Sequence, residues 1–314
     1  MNGYVVIGSA IVGLLVGMTG AGGGALMTPM LLLLFSVKPS AAISSDLVAA
    51  VVMRPFGAAV HLRKGSVNLR LVGYMAVGSV PSAFLGSWIL HQLANTKSAT
   101  ADIQRALGAA LLLGAGAMAL RYVLDRRNRN LRTGVLVTTT PRPVPTVLIG
   151  VVGGLVVGLT SVGSGSLMIV MLMFVYPSLS ARNLVGTDLA QAIPLTAAAA
   201  LGALTFGSVQ FSLTTAIIVG SVPAVLIGSM LSSRATDQWL RPVIFCVILA
   251  SGLKYIGLQY VPLAITVGVA AALVGTDTLL TAARSRRSSA VSGPEPRHYP
   301  AGVTALQPQV TASG

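Results

Sequence analysis

The residues with chemistry to offer in this chain are few, and most of them come in pairs. Between positions 17 and 29 the sequence reads GMTGAGGGALMTP, with Gly17, Gly20, Gly22, Gly23 and Gly24 set around Thr19. Further on it reads TSVGSGS (160–166), with Thr160, Ser161, Gly163, Ser164, Gly165 and Ser166. Glycine is the poorest helix former after proline, so each stretch predicts a break inside an apolar helix. A break frees backbone N–H groups that lipid cannot satisfy, and it is tolerated only where it is buried in protein or lines a wet cavity. The helix that restarts beyond it presents the positive end of its dipole, which attracts anions. The chemistry expected is therefore the holding of an anion by backbone and hydroxyl donors. The candidates are Thr19, Gly20, Gly22, Gly23 and Gly24 in the first break, and Thr160, Ser161, Gly163, Ser164 and Gly165 in the second. Close packing of helices through small residues is the competing reading. The pairing of the clusters and their hydroxyls favours the ligand-facing one.

Charged side chains inside apolar runs are the second signal. Asp46 follows ISS and Asp188 follows VGT, and each opens an apolar stretch. One reading makes them helix caps or first-turn acids that favour the helix dipole. The other makes them site-shaping groups or a coupling-ion or proton site, since intramembrane acids are functional by default. Arg54 lies well inside its span, about 20 Å along a helix from its start, where a charge costs a few kcal/mol unless paired or wetted. It either faces the anion or snorkels to the headgroups. Pairing with Asp46 is poor, because eight residues place the two about 80° and two turns apart. Gln191, one turn beyond Asp188, lines the same expected cavity. His61, beside Arg63 and Lys64, is expected at the interface. Cys246 is the single cysteine, and His61, His91 and His298 lie far apart in sequence. No metal spacing, cofactor motif or nucleophile–base pair results, so no metal, no cofactor and no enzymatic activity are expected.

The elements that must position these residues are membrane helices. Of 314 residues, 54% are hydrophobic and only 9% charged, against about 25% charged in soluble domains. The expectation is an all-α polytopic membrane protein. Apolar segments fall at 3–18, 24–36, 41–61, 70–91, 103–121, 144–159, 165–176, 184–205, 211–232, 240–256 and 261–282. The first lacks a basic n-region and is read as mature structure. Net charge is +14, which the positive-inside rule explains better than nucleic-acid binding, because no basic surface interleaved with aromatics is present.

A repeat organises the chain. GMTGAGGGALM at Gly17 matches GLTSVGSGSLM at Gly158, an offset of 141. Asp46 matches Asp188, and GSVPSAFLGS at Gly78 matches GSVPAVLIGS at Gly220, both at an offset of 142. Arg54 meets Thr196 under this offset, so its charge serves one half only. The expected parts are a first membrane repeat (1–121), a basic linker (122–143), a second repeat (144–257), an extra helix (258–283) and a disordered tail (284–314). If each glycine-broken pair makes an even number of crossings, each half has an odd total and the halves are inverted. The basic clusters Arg121–Arg142, Arg63–Lys64 and Arg284–Arg287 then all fall on the cytoplasmic side, with the N-terminus outside and the C-terminus inside.

The stretch GLLVGMTGAGGGALMTPMLLLLFSVKPSAAISSDL, followed by HLRKGSVNLR and GSVPSAFLGS, resembles the TauE/SafE family of sulfite and organosulfonate exporters. The resemblance covers residues 5 to 257, more weakly in the second half. There Val170 and Ser164 stand where a proline and a glycine are expected. Asp46 stands where many relatives carry a hydroxyl residue. The resemblance implies an inner-membrane carrier, built of two modules, for sulfite, a sulfonate or a related oxyanion. The expected function is secondary transport, by alternating access, of a small sulfur oxyanion. An uncoupled anion channel and a carrier of another small organic anion are the alternatives. Expected partners are the anion, membrane lipid and a coupling proton, without nucleic acid. Homo-oligomer formation stays open.

Overall fold

The computed structural model describes residues 3–19, 23–63, 67–127, 141–179, 181–231 and 237–257. Among these the chain forms ten helices and no strand. They are α1 (Gly3–Thr19), α2 (Gly24–Leu34), α3 (Pro39–Arg63), α4 (Leu69–Ala94), α5 (Ala99–Arg127), α6 (Pro143–Thr160), α7 (Leu167–Val175), α8 (Ala181–Phe206), α9 (Phe211–Leu231) and α10 (Asp237–Tyr255). All belong to one compact unit, Met1–Val274, and a second unit, Gly275–Gly314, lies wholly outside the described residues. The expected extra helix at 258–283 and the tail at 284–314 therefore fall outside them too. Five helices, α4, α5, α6, α8 and α9, are long and apolar enough to cross a membrane.

Every expected apolar segment up to residue 256 is a helix, and both glycine stretches separate two helices. α5, however, continues to Arg127, through the first residues of the expected linker. The run YVLDRR contains no glycine or proline to stop it. α3 and α8 start at Pro39 and Ala181, earlier than hydropathy alone suggests, because their first turns are polar or small.

Each broken pair is a hairpin. α2 runs back along α1, so that a Cβ at Gly8 would lie 2.9 Å from the Met30 sulfur and 3.3 Å from the Phe35 ring. α7 runs back along α6, where Gly153 faces Met168 and the Tyr176 hydroxyl reaches Thr146 Oγ1 at 2.6 Å. With 11 and 9 residues, α2 and α7 are about 16 and 14 Å long. That is half of a hydrocarbon core of about 30 Å. Each hairpin thus enters the molecule deeply and returns toward the level at which it began.

The halves are packed through each other. α1 lies against α9 and α6 against α4, in both cases parallel: Gly13 meets Ser221 and Gly17 meets Val225, while Gly150 meets Met75 and Gly158 meets Ala83. Glycines on the contact faces let these backbones approach closely. α3 and α8 run antiparallel, with Ser44 beside Gly207 and, toward the other end, Arg54 in electrostatic reach of Asp188. α5 and α10 are antiparallel as well, with Gly108 beside Tyr255 and Leu112 beside Gly252. Two buried apolar clusters result. Met27 and Leu31 of α2 sit in one, and Met168 and Leu172 of α7 in the other. Each hairpin's short helix is the plug of its own cluster, which fixes where the two tips lie.

Candidate functional site

The two hairpin tips meet. Gly24, the first residue of α2, lies so close to Ser161, the residue that ends α6, that a Cβ there would stand 2.6 Å from the Ser161 carbonyl carbon. Ser161 itself has φ +59°, a left-handed conformation uncommon for a residue with a side chain. Its N–H bonds back to Val157 O at 2.7 Å. Gly163 and Gly165 carry the chain onward at φ +118° and +97°, which only glycine adopts without strain. The TSVGSGS sequence is thus a true backbone break.

Asp46 ties the tips together. It is buried on α3, and its Oδ2 accepts two hydroxyl bonds, from Ser161 Oγ at 2.8 Å and from Thr28 Oγ1 on α2 at 2.9 Å. One carboxylate oxygen therefore holds a residue from each hairpin. The cap reading of the two aspartates is corrected here. Neither α3 nor α8 has an acid in its first turn, because both helices start about two turns upstream of Asp46 and Asp188. The aspartates sit inside their helices and point at the breaks. Asp188, also buried, receives a backbone hydrogen bond from Gly165, while its Oδ1 has no partner.

Arg54 stands electrostatically between them. It is 9% exposed, both carboxylates feel its charge, and its Nη2 has no hydrogen-bond partner among the described residues. A buried guanidinium nitrogen without a partner calls for an explanation. Gln191 donates from Nε2 to Ser79 Oγ at 2.6 Å and leaves Oε1 without a partner. The guanidinium of Arg121 on α5 also acts on Asp188.

Contacts and charges thus link Gly24, Ser161, Asp46, Arg54, Asp188 and Gly165 in one series, with Gln191 one turn along α8 from Asp188. Gly23 opens α2, its carbonyl accepting the Leu26 and Met27 N–H groups. Thr160 turns away to its own backbone, donating to Val156 O at 2.7 Å and accepting Val162 N–H at 3.2 Å. Ser164 is buried in the break. The Thr19 side chain, Gly20 and Gly22 lie outside the described residues, as does the His61 side chain. Three participants escape a sequence reading: Thr28, Ser79 and Arg121. Thr28 is a lone hydroxyl in an apolar helix, Ser79 belongs to the repeated GSVP motif, and Arg121 reads as linker charge. Only the repetition of Ser79 as Ser221 carries a sequence signal.

Among the described residues the arrangement offers one buried cationic donor and two buried acceptors without partners, and through Asp46 it is joined to α2, whose first backbone N–H groups are unsatisfied within the helix. It can hold a small polar ion away from lipid. The family model described as "Sulfite exporter TauE/SafE" matches residues 5–255. The chain is 42% identical over 257 residues to "Probable membrane transporter protein YjnA" of Bacillus subtilis (strain 168), covering 82% of this chain and all of that protein. It is 26% identical over 254 residues to "Probable membrane transporter protein YdhB" of the same organism, covering 79% of this chain and 98% of that one. No solved structure matches. The chain is a multi-pass membrane protein that belongs to the sulfite exporter TauE/SafE family of membrane transporters.

Proposed function

We propose that the protein is a secondary transporter of a small sulfur-containing oxyanion, sulfite or an organosulfonate, working as an exporter in the cytoplasmic (inner) membrane. The observation that carries the reading is the meeting of the two hairpin tips at Gly24 and Ser161, joined through Asp46 to Arg54, whose Nη2 has no partner among the described residues. Arg54 supplies the formal charge, the start of α2 supplies backbone dipoles, and the break at 160–166 supplies hydroxyls. The three oxygens splayed around the sulfur of a sulfite or sulfonate accept hydrogen bonds from several directions, as such a donor set requires.

Inverted repeats are part of the proposal. The reciprocal packing of α1 on α9 and α6 on α4, and the antiparallel course of α3 against α8, support it. In such an architecture the site is exposed alternately by rocking one half against the other. The cytoplasmic placement of the basic loops orients the chain with its N-terminus outside.

The test is binding and flux with purified protein in proteoliposomes, against sulfite, sulfoacetate, taurine, sulfate and lactate. Arg54→Gln removes a charge-assisted bond of about 1.5–3 kcal/mol, so affinity for the preferred anion falls roughly 10- to 100-fold. Arg54→Lys recovers little, because the planar fork is lost. Unchanged affinity in Arg54→Gln rejects the site, and preference for lactate over every sulfur anion rejects the substrate class.

A further inference from the structure

The two aspartates occupy matched positions in the repeat, yet their surroundings differ. Asp46 Oδ2 receives two hydroxyl donors, which locks the side chain between α2 and the end of α6. Asp188 receives one backbone N–H, and its Oδ1 meets no donor. One turn further on the same helix, Gln191 Oε1 meets none either. Residues three apart on a helix are neighbours, about 5–6 Å between their Cβ atoms. Asp188 Oδ1 and Gln191 Oε1 are buried acceptor oxygens on residues one turn apart, and neither meets a donor among the described residues. A proton on Asp188 turns its bare oxygen into an O–H donor.

Charge balance says when that proton arrives. The ionisable groups acting on Asp188 are Arg54 from α3 and Arg121 from α5, with Asp46 on the far side of Arg54. α6 and α7 contribute none from Pro143–Thr160 or Leu167–Val175. On α4, Arg70 and Tyr74 are exposed, and His91 lies at the far end beside Asn95. Tyr176 is engaged with Arg142 and Thr146. Two guanidiniums and two carboxylates leave the cluster formally neutral. An anion engaging Arg54 withdraws that charge from Asp188 and adds one more negative charge to a buried site. Uptake of one proton restores neutrality.

Resting on the anion-transporter reading, we propose that Asp188 is the proton-carrying group of the site, protonated as the anion binds to Arg54, and that Asp46 is a fixed clamp between the hairpins. Anion and proton then move together. By linkage, acidification tightens anion binding by the same factor by which the anion tightens proton binding.

The experiment is calorimetry of methanesulfonate binding to the purified full-length protein, in two buffers of different ionisation enthalpy. Methanesulfonate is a sulfonate with no group that titrates near neutrality, so any proton exchanged belongs to the protein. Wild type takes up about one proton per anion bound. Asp188→Asn binds the anion with no proton uptake. In proteoliposomes a pH gradient drives methanesulfonate accumulation in wild type, whereas Asp188→Asn only equilibrates it. Binding without proton uptake in wild type, or proton uptake persisting in Asp188→Asn, overturns the assignment while leaving the anion site standing. A flux driven by sodium but not by pH overturns it also. Absence of binding of methanesulfonate and of sulfite alike overturns both readings together. Should Asp188→Asn fail to fold, the wild-type proton count decides alone.

Discussion

Replacing Gly24 with alanine drives a methyl group into the contact on which the site depends. The new Cβ would stand 2.6 Å from the Ser161 carbonyl carbon and 2.8 Å from its Oγ. Carbon atoms without strain keep about 3.5–4.0 Å, so the tips must part by roughly 1 Å. The neighbour is backbone in a left-handed conformation, not the end of a flexible side chain, and cannot swing aside. The same displacement lengthens the 2.8 Å bond from Ser161 to Asp46 to beyond the usual hydrogen-bonding limit of about 3.2 Å. Overpacking costs about 1–3 kcal/mol, and a lost bond to a carboxylate about 1.5–3 more. The expected loss is therefore roughly 3 kcal/mol or more, read as a fall in melting temperature in detergent, with anion affinity falling in parallel. Gly73→Ala on α4 is the control, since nothing lies within 4 Å of its Cβ. There the substitution gains about 0.5–1 kcal/mol of helix propensity. A Gly24→Ala protein as stable and as active as Gly73→Ala would show that the tips do not touch, and the convergent site would go with them.

Thr28→Val and Ser161→Ala each remove one of the two hydroxyl bonds to Asp46 Oδ2, at about 1–2 kcal/mol apiece. The double substitution leaves a buried carboxylate oxygen bare, so its cost exceeds the sum by about 0.5–3 kcal/mol in a double-mutant cycle of unfolding, and strict additivity would refute a shared oxygen. Tyr176→Phe unties the base of the second hairpin, where the phenol accepts Arg142 N–H at 2.7 Å and bonds Thr146 Oγ1 at 2.6 Å. Thermal unfolding should show a loss of about 1–3 kcal/mol. Anion affinity measured in a lipid bilayer should stay within about twofold, and a larger change would tie that base to the site.

Helix existence was legible because each span is a long apolar run closed by polar or glycine-rich residues. The breaks were legible because five glycines in the first cluster, and the matching cluster 141 residues on, have no place in a plain span. The location of Asp46 and Asp188 within their helices was not. Hydropathy starts a helix at its first apolar residue, whereas α3 starts at Pro39, where proline fits the first turn. Nor does the sequence reveal that Asp46 bonds to Ser161, 115 positions away. That contact exists only because α1 and α6 pack on the other half's helices, and no periodicity encodes which half a helix will join. Arg54 is buried between two carboxylates, a setting its place deep in an apolar span required but did not specify.

Reciprocal packing also dictates an order of events during synthesis. α1 is translated before the other nine described helices, and its glycine face fits α9, the ninth of them. Until α9 has been translated, that face lacks the helix it packs against. Two fragments divided between residues 127 and 141 would therefore each be incomplete, with α1 orphaned in one and α6 in the other. Only co-produced fragments, meeting in the same bilayer, could shelter each other from the quality-control proteases that remove unassembled spans.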